Sequence, residues 1–143
     1  MKLEHVIPIS APPEVVWAVT EDIERWPEWT PTVNTVKRLD EGRFDVGSTA
    51  LLKQPGLPEA TWRVTTLIPG EQLTWESRIR GMRLIATHQL VATTTGTQSK
   101  LSIEMSGLVV RLLWPLIRLS VRRSLQQENM GLKKQCEALH ASS

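Results

Sequence analysis

The feature that most constrains the fold is a series of alternating segments separated by glycine-containing turns. Between residues 60 and 106, apolar and polar residues alternate, and the series breaks at Pro69-Gly70, Gly81 and Gly96. A period of two is typical of a strand with one buried face, and glycine supplies the positive φ that tight turns require. These segments therefore predict consecutive antiparallel hairpins, whose common apolar face must be covered by another element.

The rest of the chain supplies that cover. Residues 109–140 repeat apolar residues at spacings of three, four and seven, which predicts one long amphipathic helix. Pro115 lies in its first turns, where we expect it to kink the helix or delay its start. A shorter helix is predicted in 10–20, and a very short helix or turn in 25–31. The predicted strands are 3–9, 33–39, 46–54, 60–68, 72–80, 82–93 and 98–106.

Length and composition indicate one α+β domain over residues 1–143. The chain is 41% hydrophobic and 22% charged, as expected for a globular protein with a core. Its only cysteine, Cys136, excludes an intrachain disulfide, and the three histidines lack metal-ligand spacing. No phosphate-binding glycine loop is present. We therefore expect no metal and no cofactor, and the net charge of +2 is too small to indicate nucleic acid as a partner.

Charge and hydropathy also bear on location and partners. The N-terminal residues contain no long apolar run typical of a signal peptide, so a cytoplasmic protein is expected. The apolar run 108–121 carries two arginines and is too short and too charged for a stable membrane span. Basic residues concentrate in the last third, which favours a solvated helix face. A homodimer is left open by the sequence.

Three stretches carry a resemblance to a known family: VIPISAPPEVVWAVTEDIERWPEWTPTV, VGSTALLKQPGLPEATWRVTTLIPGEQLTWES and LKKQCEALH. They resemble the START/Bet v 1-like (SRPBCC) superfamily and, more narrowly, its polyketide cyclase/dehydrase and lipid-transport family. The resemblance implies a helix-grip fold, in which a seven-stranded antiparallel sheet wraps round a long C-terminal helix and a hydrophobic cavity. Two short helices follow strand 1. Because the superfamily includes lipid carriers, hormone receptors, ubiquinone-binding proteins and aromatase/cyclases, the fold does not determine the function.

Strand parity predicts which residues line the cavity. If the long helix covers the sheet, one face of each alternating strand points inward, and small inward residues leave room for a ligand. Trp62 and Trp75 lie on adjacent strands and are expected to form an aromatic wall. Thr66 is also predicted to face inward, and Gly131 to lie beside the apolar stripe of the helix. The predicted ligand-binding residues are Trp62, Val64, Trp75, Ser77, Met82, Leu84, Ala86, His88, Leu90, Ile103, Met105, Ser124 and Glu128.

Two of these residues are candidates for catalysis. His88 is the one ionisable residue on its apolar strand face, and Glu128 interrupts the apolar stripe of the long helix between Leu125 and Leu132. If both reach the cavity, they can hydrogen-bond each other, mark the polar end of a ligand or perform acid–base chemistry. The alternative is that His88 is an ordinary core histidine and that Glu128 extends to solvent. For Glu128 this alternative is favoured, because helix rotation is defined only to within a residue.

Three functions follow from these expectations. The favoured one is the binding of a hydrophobic small molecule, such as a lipid, a quinone or a polyketide-like aromatic compound, in the cavity. The second is a polyketide cyclase or dehydratase that uses His88 as acid or base, with Glu128 as a possible partner. The third is a module that contacts a membrane or another protein through the basic helix and the 108–121 segment.

Overall fold

The structure, a computed structural model, describes residues 1–142. Within this range the chain forms seven strands, two α-helices and one short 3₁₀ helix. The strands are β1 (Lys2–Ile9), β2 (Thr35–Arg38), β3 (Thr49–Lys53), β4 (Ala60–Ile68), β5 (Gln72–Ile79), β6 (Met82–Thr93) and β7 (Gly96–Ser106). The helices are α1 (Pro13–Glu21), the 3₁₀ helix (Ile23–Glu28) and α2 (Leu108–Ala141).

The strands of residues 1–142 form one seven-stranded antiparallel sheet in the order β1-β7-β6-β5-β4-β3-β2. Strands β2 to β7 are neighbours in chain order, as the hairpin pattern predicts, and β1 pairs with β7 at the opposite edge. Helix α2 covers the inner face of the sheet and packs chiefly against β1, β7 and α1. The α+β helix-grip architecture is therefore confirmed.

The turn between β5 and β6 shows how the sequence sets the register. Arg80 and Gly81 both have positive φ, at 49° and 78°, which is the pattern of a type I′ turn. Ile79 and Met82 pair directly across this turn. The two-residue connection therefore fixes which residues of β6 share a face with those of β5.

Strand β3 is shorter than its alternating pattern predicts because a turn occupies residues 45–48. The amide of Asp45 donates to Ser48 Oγ at 3.0 Å, and the amide of Ser48 donates to the Asp45 carbonyl at 2.9 Å. Gly47 has a φ of 90°, which is incompatible with an extended strand. The strand consequently begins at Thr49 rather than at residue 46.

A β-bulge in β4 overturns the prediction that Thr66 faces inward. Val64 pairs with Trp75, whereas Thr66 pairs with the next residue back, Thr74. One extra residue in β4 reverses the alternation from that point, because side chains alternate strictly with a period of two. Thr66 therefore lies on the outer face, and Leu67 takes the inward position opposite Leu73.

Helix α2 begins at Leu108 and continues through Pro115, so the predicted delay of its start is wrong. Its second half buries Leu125, Leu132 and Cys136 against the sheet. Its first half is more exposed and extends over the other end of the sheet, where β5, β6 and β7 are left uncovered beneath it. This division of α2 creates the space described next.

Candidate functional site

A cavity of about 700 Å³ lies between the inner face of the sheet and the first half of α2. Its volume is within the usual range for small-molecule sites. The 3₁₀ helix and the loop between β3 and β4 complete the wall. The residues that line it are Trp26, Pro31, Thr32, Val33, Leu52, Gln54, Pro55, Gly56, Leu57, Trp62, Trp75, Arg80, Met82, Leu84, Ala86, Thr87, His88, Leu101, Ser102, Ile103, Met105, Val109, Ile117, Ser120, Val121, Ser124, Leu125, Gln127 and Glu128.

Strand register explains why space remains at this position. Ala86 pairs with Trp75 on one side and with Ile103 on the other, so a small side chain separates two large ones. The lining of β6 continues with Leu84 and His88, which point the same way as Ala86. A methyl group at the centre of the wall leaves a depression that its neighbours do not fill.

The structure separates the predicted ligand-binding residues into two groups. Most line the cavity: Trp62, Trp75, Met82, Leu84, Ala86, His88, Ile103, Met105, Ser124 and Glu128. Val64, Ser77 and Leu90 point inward and are buried, but they lie outside the cavity lining.

Each of these three exceptions is in contact with protein rather than with free space. Ser77 Oγ donates to the Thr61 carbonyl at 2.8 Å. Leu90 pairs with Ser99 at the level where α2 rests directly on the sheet, and Val64 is packed in the core. Parity determines the face on which a residue lies, but it does not determine the height along the strand at which the helix closes the gap. Gly131 also lies outside the lining, because the Trp29 backbone packs against it.

An aromatic row crosses the cavity wall. The ring centroids of Trp62 and Trp75 are 5.6 Å apart, those of Trp75 and Trp26 are 5.3 Å apart, and those of Trp26 and His88 are 5.0 Å apart. The aromatic wall of Trp62 and Trp75 is therefore confirmed. Trp26 extends this wall and also anchors its own segment of the chain. Its indole N–H donates to the Thr20 carbonyl at 3.0 Å, while its ring faces the cavity.

Two polar atoms in this row have no hydrogen-bond partner among residues 1–142. They are His88 Nδ1 and Trp62 Nε1, and both are fully shielded from bulk solvent. A buried polar atom without a partner costs about 1–3 kcal/mol relative to a satisfied one. Both residues line the cavity, although the two atoms themselves are covered, so a ligand reaches them only if the side chains turn. The site thus combines an apolar, aromatic wall with two unused polar positions.

The other nitrogen of His88 lies close to Glu128. His88 Nε2 and Glu128 Oε1 are 3.5 Å apart, and the Glu128 side chain is only 17% exposed. The solvent-facing alternative for Glu128 is therefore wrong. Helix α2 rotates this carboxylate toward β6 instead. The remaining ring nitrogen, Nδ1, is buried and has no hydrogen-bond partner among residues 1–142.

Asn129, next to Glu128 in the chain, is a buried polar residue that the sequence did not lead us to predict. It is fully buried in α2, and its Oδ1 accepts from Ser99 Oγ at 2.8 Å. Its amide nitrogen lies within hydrogen-bond distance of Ser99 O, at 3.1 Å, and of His5 O and His5 Nδ1, at 3.2 and 2.9 Å. The network joins α2 to both β1 and β7 next to Glu128. Its sequence signal was an asparagine four residues after Leu125 and three before Leu132 in the apolar stripe.

Metal and thiol chemistry find no support in this geometry. Among residues 1–142, no three histidine, cysteine or acidic side chains converge as ligands. Cys136 is fully buried in the core, and this burial raises the pKa of its thiol to about 12. A thiol in that state is a small apolar group rather than a nucleophile.

A match over most of the sequence identifies the protein family. Residues 1–137 match the family model described as "Polyketide cyclase / dehydrase and lipid transport". The chain belongs to this family. It is thus also a member of the SRPBCC superfamily that the resemblance implied. Among curated protein sequences, none matches the chain significantly.

Solved structures of similar proteins agree with this assignment at the level of the fold. The Zhui aromatase/cyclase from Streptomyces sp. R1128 is 18% identical, with a TM-score of 0.77 over 96% of this chain and 93% of that one. The protein TTHA0849 from Thermus thermophilus is 18% identical, with a TM-score of 0.76 over the full length of both chains. Ara h 8.0201 is 13% identical, with a TM-score of 0.68 over 100% of this chain and 99% of that one.

Proposed function

We propose that this family member binds a hydrophobic small molecule that contains an aromatic or conjugated ring system and one polar end. The observation that carries the proposal is the cavity of about 700 Å³, whose aromatic wall holds the two unpartnered polar atoms of His88 and Trp62. The family's description, which includes lipid transport, is consistent with such a ligand.

The two unpartnered atoms define the chemistry of the ligand's polar end. Trp62 Nε1–H is only a donor, so it requires an acceptor such as a carbonyl or hydroxyl oxygen. With the ring proton on Nε2, which lies 3.5 Å from Glu128 Oε1, His88 Nδ1 accepts a hydrogen bond from a hydroxyl group. The faces of Trp26 and Trp75 favour flat rings, because aromatic pairs gain about 0.5–1.5 kcal/mol beyond area burial. A hydroxylated polycyclic ketone or quinone meets all of these requirements.

The first test is whether the protein carries a ligand. Native mass spectrometry of freshly purified protein, followed by solvent extraction, identifies any bound lipophilic compound. Isothermal titration then compares 2-hydroxyanthraquinone with anthraquinone, which differ by one hydroxyl group. We expect tighter binding of the hydroxylated compound to the wild-type protein.

Substitution of His88 tests the role of the imidazole. In His88→Leu, the preference for the hydroxylated compound should disappear, with a loss of about tenfold in its affinity, since one hydrogen bond to a buried group is removed. The matched control is Leu90→Ala, two residues along the same face of β6 but outside the cavity lining. It should lower thermal stability and leave both affinities unchanged. Equal loss of affinity in the control, or an unchanged preference in His88→Leu, contradicts the proposal.

A second candidate function, an acid–base enzyme of the cyclase type, is favoured by the His88–Glu128 contact at 3.5 Å. In such an enzyme, the imidazole of His88 takes a proton from an acidic carbon of the substrate. Glu128 then stabilises the imidazolium that forms. Both residues line the cavity, so a carrier and an enzyme would bind their ligand in the same place. The two functions differ only in whether a proton is then transferred.

Proton exchange distinguishes the enzyme from a carrier without knowledge of the natural substrate. Benzoylacetone has an acidic methylene group between two carbonyl groups, and its exchange in D2O can be followed by NMR. An enzyme should accelerate exchange above the buffer rate, and Glu128→Gln should reduce the acceleration by at least about tenfold while benzoylacetone still binds. Binding without acceleration supports the carrier.

A further inference from the structure

The first half of α2 exposes a row of leucines on the side that faces away from the cavity. Leu108, Leu112, Leu116 and Leu119, here called the leucine face, are 69%, 71%, 72% and 61% exposed. Their spacings of four, four and three residues place them on one side of the helix. Four large apolar side chains so exposed and so close together are unusual on a protein surface and mark an interaction site.

The charge around the leucine face has only one sign. Residues 105–127 contain no aspartate or glutamate, and they include Arg111, Arg118, Arg122 and Arg123. Among residues 1–142, none of these four guanidinium groups pairs with a carboxylate. The first carboxylate of α2 is that of Glu128, which is directed into the cavity.

This charge pattern decides between the occupants of such a surface. A second copy of the chain in a two-fold arrangement would bring the same arginines into opposition, because a two-fold interface uses one patch twice. An anionic lipid surface complements both features, since its headgroups attract arginine and its acyl region accepts leucine. In the part of the chain that the structure describes, no helix is apolar enough over sufficient length to cross a bilayer, so the contact is with the surface.

We propose that the leucine face and its four arginines dock the protein on the surface of a membrane that contains anionic lipids. The same turns of α2 line the cavity on their inner side through Val109, Ile117 and Val121. Docking therefore places one wall of the cavity against the bilayer. The proposal does not depend on the identity, or on the presence, of a cavity ligand.

Vesicle flotation tests the docking surface directly. The full chain is mixed with vesicles of phosphatidylcholine and phosphatidylglycerol at 70:30, or of phosphatidylcholine alone, at 50 and 500 mM NaCl. We expect binding to the anionic vesicles that weakens at the higher salt concentration. Binding to neutral vesicles should be at least about tenfold weaker, because roughly fivefold in affinity is expected for each arginine near the surface.

Paired variants assign the binding to the leucine face. Leu112→Ser with Leu116→Ser, and separately Arg118→Gln with Arg122→Gln, should each lower the partition coefficient at least about tenfold. All four side chains are exposed, so the fold should be retained, which circular dichroism checks. The matched control is Met130→Ser with Lys134→Gln, an exposed apolar and basic pair in the second half of the same helix. It should bind as the wild type does.

Three results overturn the proposal. The first is no binding to anionic vesicles. The second is binding that the leucine variants retain, which would indicate a charge effect without docking. The third is a dimer in analytical ultracentrifugation that dissociates when Leu112 and Leu116 are replaced, which would show that a second copy occupies the face. A failure of ligand titration in the cavity affects none of these measurements, so the two proposals fail separately.

Discussion

At the scale of single residues, Asn129 joins α2 to the sheet by hydrogen bonds. The residue is fully buried, and every one of its amide atoms has a partner on β1 or β7. We expect Asn129→Leu to lower the free energy of unfolding by about 2–4 kcal/mol, because the substitution leaves buried groups of Ser99 and His5 unsatisfied. Urea denaturation followed by circular dichroism measures this change.

A double variant separates the lost network from a simple misfit of leucine. Adding Ser99→Ala to Asn129→Leu removes one of the orphaned hydroxyl groups, so part of the lost stability should return. If the double variant loses more free energy of unfolding than the two single variants lose together, the hydrogen-bond explanation for Asn129 is wrong.

Gly131 is a second residue with a local role that its type alone does not indicate. A Cβ atom at this position would lie 2.1 Å from the Trp29 carbonyl oxygen. Glycine to alanine in a helix normally stabilises by about 1 kcal/mol. Here Gly131→Ala should instead destabilise the protein by about 1–3 kcal/mol, since backbone must move to relieve the overlap. Thermal unfolding measures the shift, and Gln126→Ala, exposed on the same helix, should be nearly neutral. A higher unfolding temperature for Gly131→Ala contradicts the predicted close contact.

At the scale of elements, the end of α2 is tied to the connection between β1 and α1 by Glu137. Its carboxylate accepts from Lys133 Nζ at 2.7 Å and from the Ser10 amide at 2.8 Å, and Lys133 also donates to the Pro8 carbonyl. The hydrogen bond from Lys133 is the main reason that the pKa of Glu137 lies below its ordinary range, and the bond from Ser10 lowers this pKa further. A lowered pKa in the folded state contributes stability above the ordinary pKa of glutamate, and this contribution is lost as the pH falls through the folded value.

The Glu137→Gln variant tests this link. It should be less stable than the wild type at pH 7 by no more than about 1 kcal/mol, because the side chains of Glu137 and its partner Lys133 are both partly exposed. The difference should shrink as the pH is lowered from the ordinary range of a glutamate to below the folded pKa. Chemical denaturation at pH 7, 5 and 3 measures it. A difference that stays constant between pH 7 and pH 3 would assign the effect to shape rather than to charge.

At the scale of the whole molecule, Cys136 reports how often α2 leaves the sheet. The thiol is fully buried, and its pKa is raised to about 12 by burial. A thiol reagent such as DTNB should therefore react with the native protein at pH 8 only when α2 moves away from the sheet and exposes the thiol. We expect a rate at least roughly a hundredfold below that in urea, since buried core groups open at a large cost in free energy. Labelling at the rate of the unfolded chain would show that α2 is not held as described.

Much of this architecture follows from the sequence by physical reasoning. Alternation between glycine turns predicts the hairpins, and parity places Trp75, Ala86 and His88 on the inner face. The bulge that turns Thr66 outward was not predicted, because two consecutive threonines, Thr65 and Thr66, interrupt the alternation without indicating which of them is the extra residue. The orientation of Glu128 also needed the structure. It depends on the rotation of α2, which is fixed by the buried Asn129 network together with Leu132 and Cys136 of the apolar stripe.

The two halves of α2 have different roles, and this difference bears on how the sequence can evolve. Asn129, Leu132 and Cys136 are fully buried and hold the helix in place, whereas Ile117, Val121 and Ser124 are only partly buried and line the cavity. Substitutions in the second set alter the shape available to a ligand with little loss of folded protein. Ligand preference can therefore drift among descendants of one such chain while the scaffold remains intact.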